Sequence, residues 1–340
     1  MAHIELNKTN FFHNLDICSK QAKSKDKLAI VLKDNAYGHG LKQIASLASQ
    51  YGISKAIVQT VNEAKKIEQY FNYILILADT TSDSLSHTFH ITINNIDDIE
   101  LLAPNTNIHI KIDTGMHRNG ISIEELETTI LRALEYKLNI CGIFTHFKSA
   151  DSLGSEYFAQ KLIFKGVLDD FKQICEKLNL SNIKIHSANS SALFRENNFD
   201  EDICRIGIAS YGYIENQYPL NQPDLKPILS LYANKISSRL LKKGQSIGYG
   251  GNYTAKEDLK ISTYDIGYGD GFKRLSKDKT YHIDDTTQIL GNISMDNISI
   301  NSTKDTICIF NDVKPLAKLH NTISYEILVS LNPQLPRIII

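Results

Sequence analysis

Val31-Leu32-Lys33-Asp34-Asn35-Ala36-Tyr37-Gly38-His39-Gly40 ends an apolar run, Leu28 to Leu32, with one lysine, and the small, polar and glycine residues that follow cannot continue a strand. The stretch therefore reads as a strand that delivers a single amine to its mouth. Most lysines at strand ends are solvated surface cations. An amine walled by apolar neighbours can instead have its pKa lowered by desolvation and attack an aldehyde, which is Schiff-base chemistry.

Outward from that lysine, one pattern repeats. Apolar, β-rich runs fall near 28–33, 55–59, 73–77, 90–94, 107–112, 140–145, 182–186 and 203–208, and helical stretches at 41–51, 61–70, 95–102, 122–136 and 155–179 lie between most of them. The interval near 80–88 is the weakest helix. Strands alternating with helices imply a parallel sheet, and eight such units close a (β/α)8 barrel of the TIM type. An open doubly wound sheet is the runner-up, disfavoured because no Gly-x-Gly-x-x-Gly follows the first strand. Strand parity puts Ala29, Val31 and Lys33 inside the barrel, with Lys111 inside and Ile108, Ile110 and Ile112 outside.

Three prolines, Pro219, Pro223 and Pro227, cluster within Tyr218 to Pro227 and mark a linker. Beyond it, strand-like segments at 228–240, 246–249, 259–266, 287–290, 293–300 and 306–310 recur without long helices. The expected division is a barrel over residues 1–217 and a mostly-β domain over 228–340, with residues 1–8 available to the second domain as a further strand.

The 340 residues suffice for two domains with ample core. Lys plus Arg number 37 against 38 for Asp plus Glu, which gives no ground for expecting nucleic acid or an anionic membrane as partner. A small-molecule substrate stays open. Cys18, Cys141, Cys175, Cys204 and Cys308 are scattered and odd in number, so they read as free thiols of a reducing compartment. With no apolar signal core at the start and no run long enough to span a bilayer, a cytoplasmic protein is expected. No metal is expected.

In such a barrel the chemistry belongs at the C-terminal strand ends, with phosphate held after strands seven and eight. The unusual residues gather there: Lys33; Lys111 through Gly120, including Arg118; Thr145-His146-Phe147; His186 through Ala192; and Arg205-Ile206-Gly207-Ile208. Singly, each has an ordinary reading as a solvated charge, a core histidine or a helix cap. The Ser190 hydroxyl and the amides around Ser190, Gly207 and Ile208 could surround a dianionic phosphate. His146 could stack on an aromatic ring, Arg118 suits a phenolate or carboxylate, and an inward Arg205 needs a buried acceptor such as a pyridine nitrogen.

Lys33 with Asn35-Ala36-Tyr37-Gly38-His39-Gly40 resembles the pyridoxal-phosphate attachment motif of the alanine racemases. The resemblance extends along nearly the whole chain through Lys111 to Gly120, Thr145-His146-Phe147 with Ala150-Asp151, His186 with Ala188-Asn189-Ser190, and Arg205 to Gly212. It continues through Ile266-Gly267-Tyr268-Gly269-Asp270-Gly271 with Arg274, Ser294-Met295-Asp296 and Ser324-Tyr325-Glu326. It implies pyridoxal 5′-phosphate as cofactor, a homodimer sharing its active sites, and interconversion of L- and D-alanine for cell-wall synthesis.

The same resemblance implies two bases on opposite faces of the substrate: Lys33, which also carries the cofactor, and Tyr268 from the other subunit. Glycines 267, 269 and 271 suit a loop that approaches a ligand closely. Cations must assist the tyrosine, whose ordinary pKa is near 10; His146 and Arg205 are the expected network. Arg205 at the pyridine nitrogen favours racemisation over transamination. Cofactor contacts are implied for Tyr37, Arg118, His146, Asn189, Ser190, Arg205, Gly207, Ile208 and Tyr325, and substrate contacts for Arg118 and Met295. Lys111 is implied as a carbamate that positions Arg118. Tyr249 and Asp296 are weaker wall candidates.

Asp34 departs from the small residue common beside the lysine, and strand parity directs it away from Lys33. Ser191 replaces a common alanine. Competing functions are a broad-specificity amino-acid racemase, a non-catalytic PLP-binding protein, which would not need Tyr268, and a PLP decarboxylase, which would place an acid where Arg205 stands.

Overall fold

The structure, a computed structural model, describes residues 1–340 apart from Asn197, Tyr218, Lys277 and Asp278. Tyr218, the first residue of the expected linker, thus lies outside the described residues. The chain divides into two compact units: Phe11–Asp34 with Ile44–Lys226, and Met1–Asn10 with Asn35–Gln43 and Pro227–Ile340. The short Asn35–Gln43 segment, carrying most of the opening motif, clusters with the C-terminal unit although it lies far away in sequence.

In the β unit, β1 (His3–Leu6) is inserted in the sheet. It pairs antiparallel with a later 13-residue strand, Leu229–Leu241, and parallel with the strand Arg337–Ile339.

The barrel unit contains an eight-stranded parallel sheet: β2 (Leu28–Val31), β3 (Lys55–Val58), β4 (Tyr73–Ile76), β5 (Phe89–Ile93), β6 (Asn107–Lys111), β7 (Asn139–Phe144), β8 (Lys184–His186) and β9 (Cys204–Ile206). The ladder runs from β8 down to β2 and on to β9, and the Asn189–Arg205 bridge joins the two ends. Most of the strands are short apolar runs buried on both faces, as parallel sheets require, with β7 and β8 exposed at their first residues. Helices occupy the crossovers. The helix Val61–Ile67 starts in a capping box between Thr60 and Glu63, and Glu156–Leu178 buries Tyr157, Gln160, Phe164, Val167 and Phe171 at helical spacing before ending on a left-handed Asn179. The residues near 80–88 form no helix, and Ile96–Leu101 is 3₁₀.

Contacts across the barrel settle which residues face inward. His109 of β6 reaches both Tyr73 of β4 and His186 of β8, strands that are not its neighbours, so its side chain lies inside. Register then places Gly142 on the same side as His109, Lys111 on the same side as Phe144 and His186, and Ala29 on the same side as Arg205.

The long strand of the β unit, β10 (Leu229–Leu241), pairs over its second half with β13 (Leu259–Tyr264), which pairs in turn with β14 (Ile298–Ile300), while β15 (Thr306–Phe310) joins β10 over Leu231–Asn234. The short β11 (Ser246–Ile247) and β12 (Tyr253–Thr254) form a separate pair, and Arg337–Ile339 is β16. Two expected strands shrink. Residues 287–290 contribute only isolated bridges, and 293–300 is strand over Ile298–Ile300 alone, because Ser294 to Asn297 form a turn. The helices Lys314–His320 and Ser324–Val329 were not expected. Among the described residues no helix is long and apolar enough to cross a membrane.

Candidate active site

β2 ends at Val31, and the Leu32 amide still donates to the Ile57 carbonyl before the chain turns. Asp34, Asn35, Ala36 and Tyr37 then all have φ between 53° and 55°, one turn of left-handed helix built without glycine. Each such residue costs about 1–2 kcal/mol, so the turn stands only because its surroundings hold it. In the barrel unit the Asp34 amide donates to Glu63 Oε1 at 2.9 Å. In the β unit Asn35 Oδ1 accepts the Leu41 amide and the Asn35 carbonyl accepts that of Gly40. Gly38, at φ +80°, sits where a Cβ would lie 2.0 Å from the Leu328 carbonyl oxygen, and Arg337 donates to the Gly38 carbonyl from Nε and Nη2. The motif's glycine is thus set by packing as well as by φ.

The turn corrects the parity expectation for Asp34. The chain has left the strand before residue 34, so alternation no longer applies, and Asp34 Oδ2 lies 3.9 Å from Lys33 Nζ.

Around the C-terminal strand ends of the barrel unit, cations converge. His146 is held neutral, its pKa pushed well below the ordinary value first by burial and then by Arg205, Lys111, Arg118 and Lys33. Lys111, only 8 % exposed, is pushed down to about 8 by burial, with Arg118, Arg205 and Lys33 adding to the shift and Asp113 opposing it. Arg118 is exposed. The loop before it is shaped by Asp113, whose Oδ1 accepts the amides of Gly115, Met116 and His117.

Arg205 is buried, and among the described residues no carboxylate lies within ion-pair distance of it; Glu201 acts on it only at longer range, against the effect of burial. Nη1 donates to His186 Nδ1 at 2.8 Å and to the His186 carbonyl at 3.2 Å; Nη2 donates to the carbonyls of Thr145 and Ser187, both at 2.8 Å, with His146 Nδ1 at 3.4 Å. These contacts occupy the terminal nitrogens and leave the Nε–H as the remaining donor. Burial pushes the guanidinium down to about 10.

Asn189, not Ser190, caps the short helix Ser190–Arg195, accepting the Ala192 amide. Ser190 Oγ accepts from the amides of Gly207 at 3.0 Å and Ala209 at 3.4 Å, which brings Ser190, Gly207 and Ile208 into one group of polar atoms.

In the β unit Tyr37 and Tyr325 pack with ring centroids 5.7 Å apart. Tyr268 and Met295 are exposed, at 42 % and 55 %, and their segments run back to back: the Tyr268 amide donates to the Ser294 carbonyl and the Gly269 amide to that of Met295. A Cβ at Gly267 would lie 2.2 Å from the Met295 oxygen, which explains that glycine. Tyr249 and Asp296 are exposed.

Several residues that shape the site carried no signal in the sequence. Gln160, buried in a helix, donates to Thr114 Oγ1 and the His146 carbonyl and accepts the Lys148 amide, pinning two strand-end loops together. Thr114 and Thr145 share a 2.7 Å hydroxyl contact beneath them. Their partners are distant in sequence, so no local spacing marks them.

The profile described as the alanine racemase N-terminal domain matches residues 6–215, and that of the alanine racemase C-terminal domain matches 228–339. An alanine racemase of a Nitratiruptor species is 47 % identical over 337 residues, 99 % of each chain, and one of Campylobacter curvus is 40 % identical over the same length and share. The solved alanine racemase of Clostridium difficile 630 superposes with a TM-score of 0.87 at 26 % identity, covering 100 % of this chain and 95 % of that one. By its sequence and its fold, the chain belongs to the alanine racemase family.

Proposed function

We propose that the protein interconverts L- and D-alanine with pyridoxal 5′-phosphate, using Lys33 and Tyr268 as bases on opposite faces of the substrate. The residues present fit that cofactor. Lys33 offers an amine at a strand mouth, Ser190, whose Oγ accepts the Gly207 amide and keeps its own hydrogen to give, offers with the Ile208 amide donors to a phosphate, and the cations around His146 suit a phenolate and a carboxylate. When bound, the cofactor supplies the electron sink that makes an amino acid's α-hydrogen acidic.

The observation that carries the reading is the Arg205 guanidinium, held by carbonyls and neutral imidazoles with its Nε–H left over. A permanent cation at a pyridine nitrogen opposes its protonation and so limits charge delocalisation, which favours return of a proton over transamination or decarboxylation. Lys33 Nζ takes or gives the α-proton on one face, and Tyr268 Oη of the partner subunit does so on the other. Arg118, positioned by Lys111 as a carbamate, and Met295 orient the substrate carboxylate. Tyr37, Tyr325 and Asn189 support the phosphate end, Asn189 by fixing the Ser190 turn.

The homodimer follows from assigning Tyr268 to the second subunit, and its exposure in the single chain agrees with that role. A cytoplasmic setting suits the five free thiols and the supply of D-alanine to the cell wall.

The test is chiral chromatography of L-alanine, L-serine and L-lysine incubated with purified protein and PLP. Rapid conversion of alanine alone supports the reading, comparable serine or lysine rates favour a broad-specificity racemase, and cofactor binding without racemisation favours a PLP carrier.

A further inference from the structure

Three buried side chains and the half-buried Tyr73 form a line through the barrel interior. Arg205 Nη1 meets His186 Nδ1 at 2.8 Å, His186 Nε2 meets His109 Nδ1 at 3.0 Å, and His109 Nε2 meets the Tyr73 hydroxyl at 3.0 Å. Tyr73 opens β4, whereas His186 closes β8, so the line runs from the strand C-termini to the opposite end of the barrel. No site role assigned above uses His109 or Tyr73.

The polarity of this line is determined by its first member. A guanidinium has donors and no acceptor, so His186 Nδ1 must accept, which makes His186 a neutral imidazole with its proton on Nε2. That proton faces His109 Nδ1, which must accept in turn, so the His109 proton sits on Nε2 and points at the Tyr73 oxygen. Either imidazole in its other tautomer would set two donors, or two acceptors, against each other in a buried place.

The barrel is shaped around this arrangement. A Cβ at Gly142 would lie 2.0 Å from His109 Nδ1, so the glycine in β7 is the space the imidazole occupies. Phe144 stacks on His186 at 4.5 Å with an interplanar angle of 10°, and His90 packs beside Tyr73 and edge-on to His109. Burial holds both relay imidazoles well below their ordinary pKa, with Arg205 adding to the effect.

We propose that His109 and Tyr73 are positioning residues which, through a hydrogen-bond line of one fixed direction, hold Arg205 in place with no carboxylate among the described residues in direct contact with its guanidinium. A carboxylate partner would neutralise Arg205; a chain of neutral acceptors orients it and leaves its charge to the site. The inference rests on the proposed reading of Arg205 only for its purpose, since the line itself stands on geometry.

The test uses the full chain, 15N-labelled at histidine and arginine, with PLP added. Two-bond 15N–1H correlations separate Nε2–H from Nδ1–H imidazoles. Both His186 and His109 are expected to be neutral Nε2–H. In Tyr73→Phe, a near-isosteric change, both histidines are expected to keep the Nε2–H tautomer that Arg205 imposes, while the His109 Nε2–H signal, its acceptor removed, and the His186 and Arg205 Nε–H signals shift. Nδ1–H or a cation at either histidine overturns the proposal, as does a Tyr73→Phe protein whose Arg205 signal stays at its wild-type position. A protein that shows these patterns but racemises nothing supports the line and counts against the proposed reaction, so the two failures are distinguishable.

Discussion

Lys33 Nζ and Asp34 Oδ2 lie 3.9 Å apart although the two residues are chain neighbours, because Asp34 takes φ +55° and opens a left-handed turn. Neighbouring strand residues point to opposite faces. The conformation that closes this pair also ends the strand at the point where the amine is presented.

That turn makes backbone conformation measurable at residue 34. Asp34→Val puts a β-branched side chain into the left-handed region and is expected to lower stability by about 1–2 kcal/mol, whereas Asp34→Gly is expected to change it by under about 1 kcal/mol. The carboxylate itself adds little, since exposed ion pairs are worth about 0–1 kcal/mol. Urea denaturation of the two variants checks this; equal losses would remove conformation as the cause.

Lys111 gives a pH dependence. Its folded pKa is about 8 against an ordinary 10.5, so between those values the unfolded chain binds more protons than the folded one. Stability contributed through this residue therefore rises as pH rises from about 8 toward 10.5 and is flat below that window. Lys111→Met should lack the rise and be the more stable protein at neutral pH in buffer free of carbon dioxide. Denaturation curves of both proteins on either side of pH 8 decide the matter. Added 13C-bicarbonate should give wild type, and not the variant, a carbamate signal.

Gln160 bonds two loops that bear site residues. Gln160→Ala orphans the Lys148 amide and removes the bonds to Thr114 and the His146 carbonyl, at an expected cost of about 1–3 kcal/mol. The Arg118 loop should loosen, raising KM for alanine more than it lowers kcat. Thermal melts and steady-state kinetics provide the check, and an unchanged KM would show that Gln160 acts on stability alone.

Gly142→Ala asks whether the barrel interior can yield. The added methyl would meet the His109 ring at 2.0 Å, and overpacking of this kind costs about 1–3 kcal/mol. A melting temperature equal to wild type would mean that His109 moves freely, which the buried hydrogen-bond line forbids.

The barrel was legible because alternating apolar strands and helices are local patterns, and Lys33, Arg118, His146 and Arg205 stood out because charged or imidazole groups fell at strand ends. The left-handed turn was not legible, since Asp34 to Tyr37 includes no glycine and strand parity pointed the other way. His109, Tyr73 and Gln160 were missed because their partners lie 12 to 77 residues away and meet them only through the closed barrel or a helix packed on it. The helices Lys314–His320 and Ser324–Val329 are too short to show a period, and the bonds from Tyr268 and Gly269 to Ser294 and Met295, which make the 293–297 region a turn, are likewise non-local.

The opposite-face assignment of Lys33 and Tyr268 is tested most directly by deuterium exchange in Tyr268→Phe. L- and D-alanine are supplied separately with PLP in D2O, and α-deuterium is followed by mass spectrometry beside racemisation. One enantiomer should keep exchanging its α-hydrogen through Lys33 without inverting, while exchange of the other and racemisation both collapse. Exchange of both enantiomers at wild-type rates, with racemisation intact, would contradict the account.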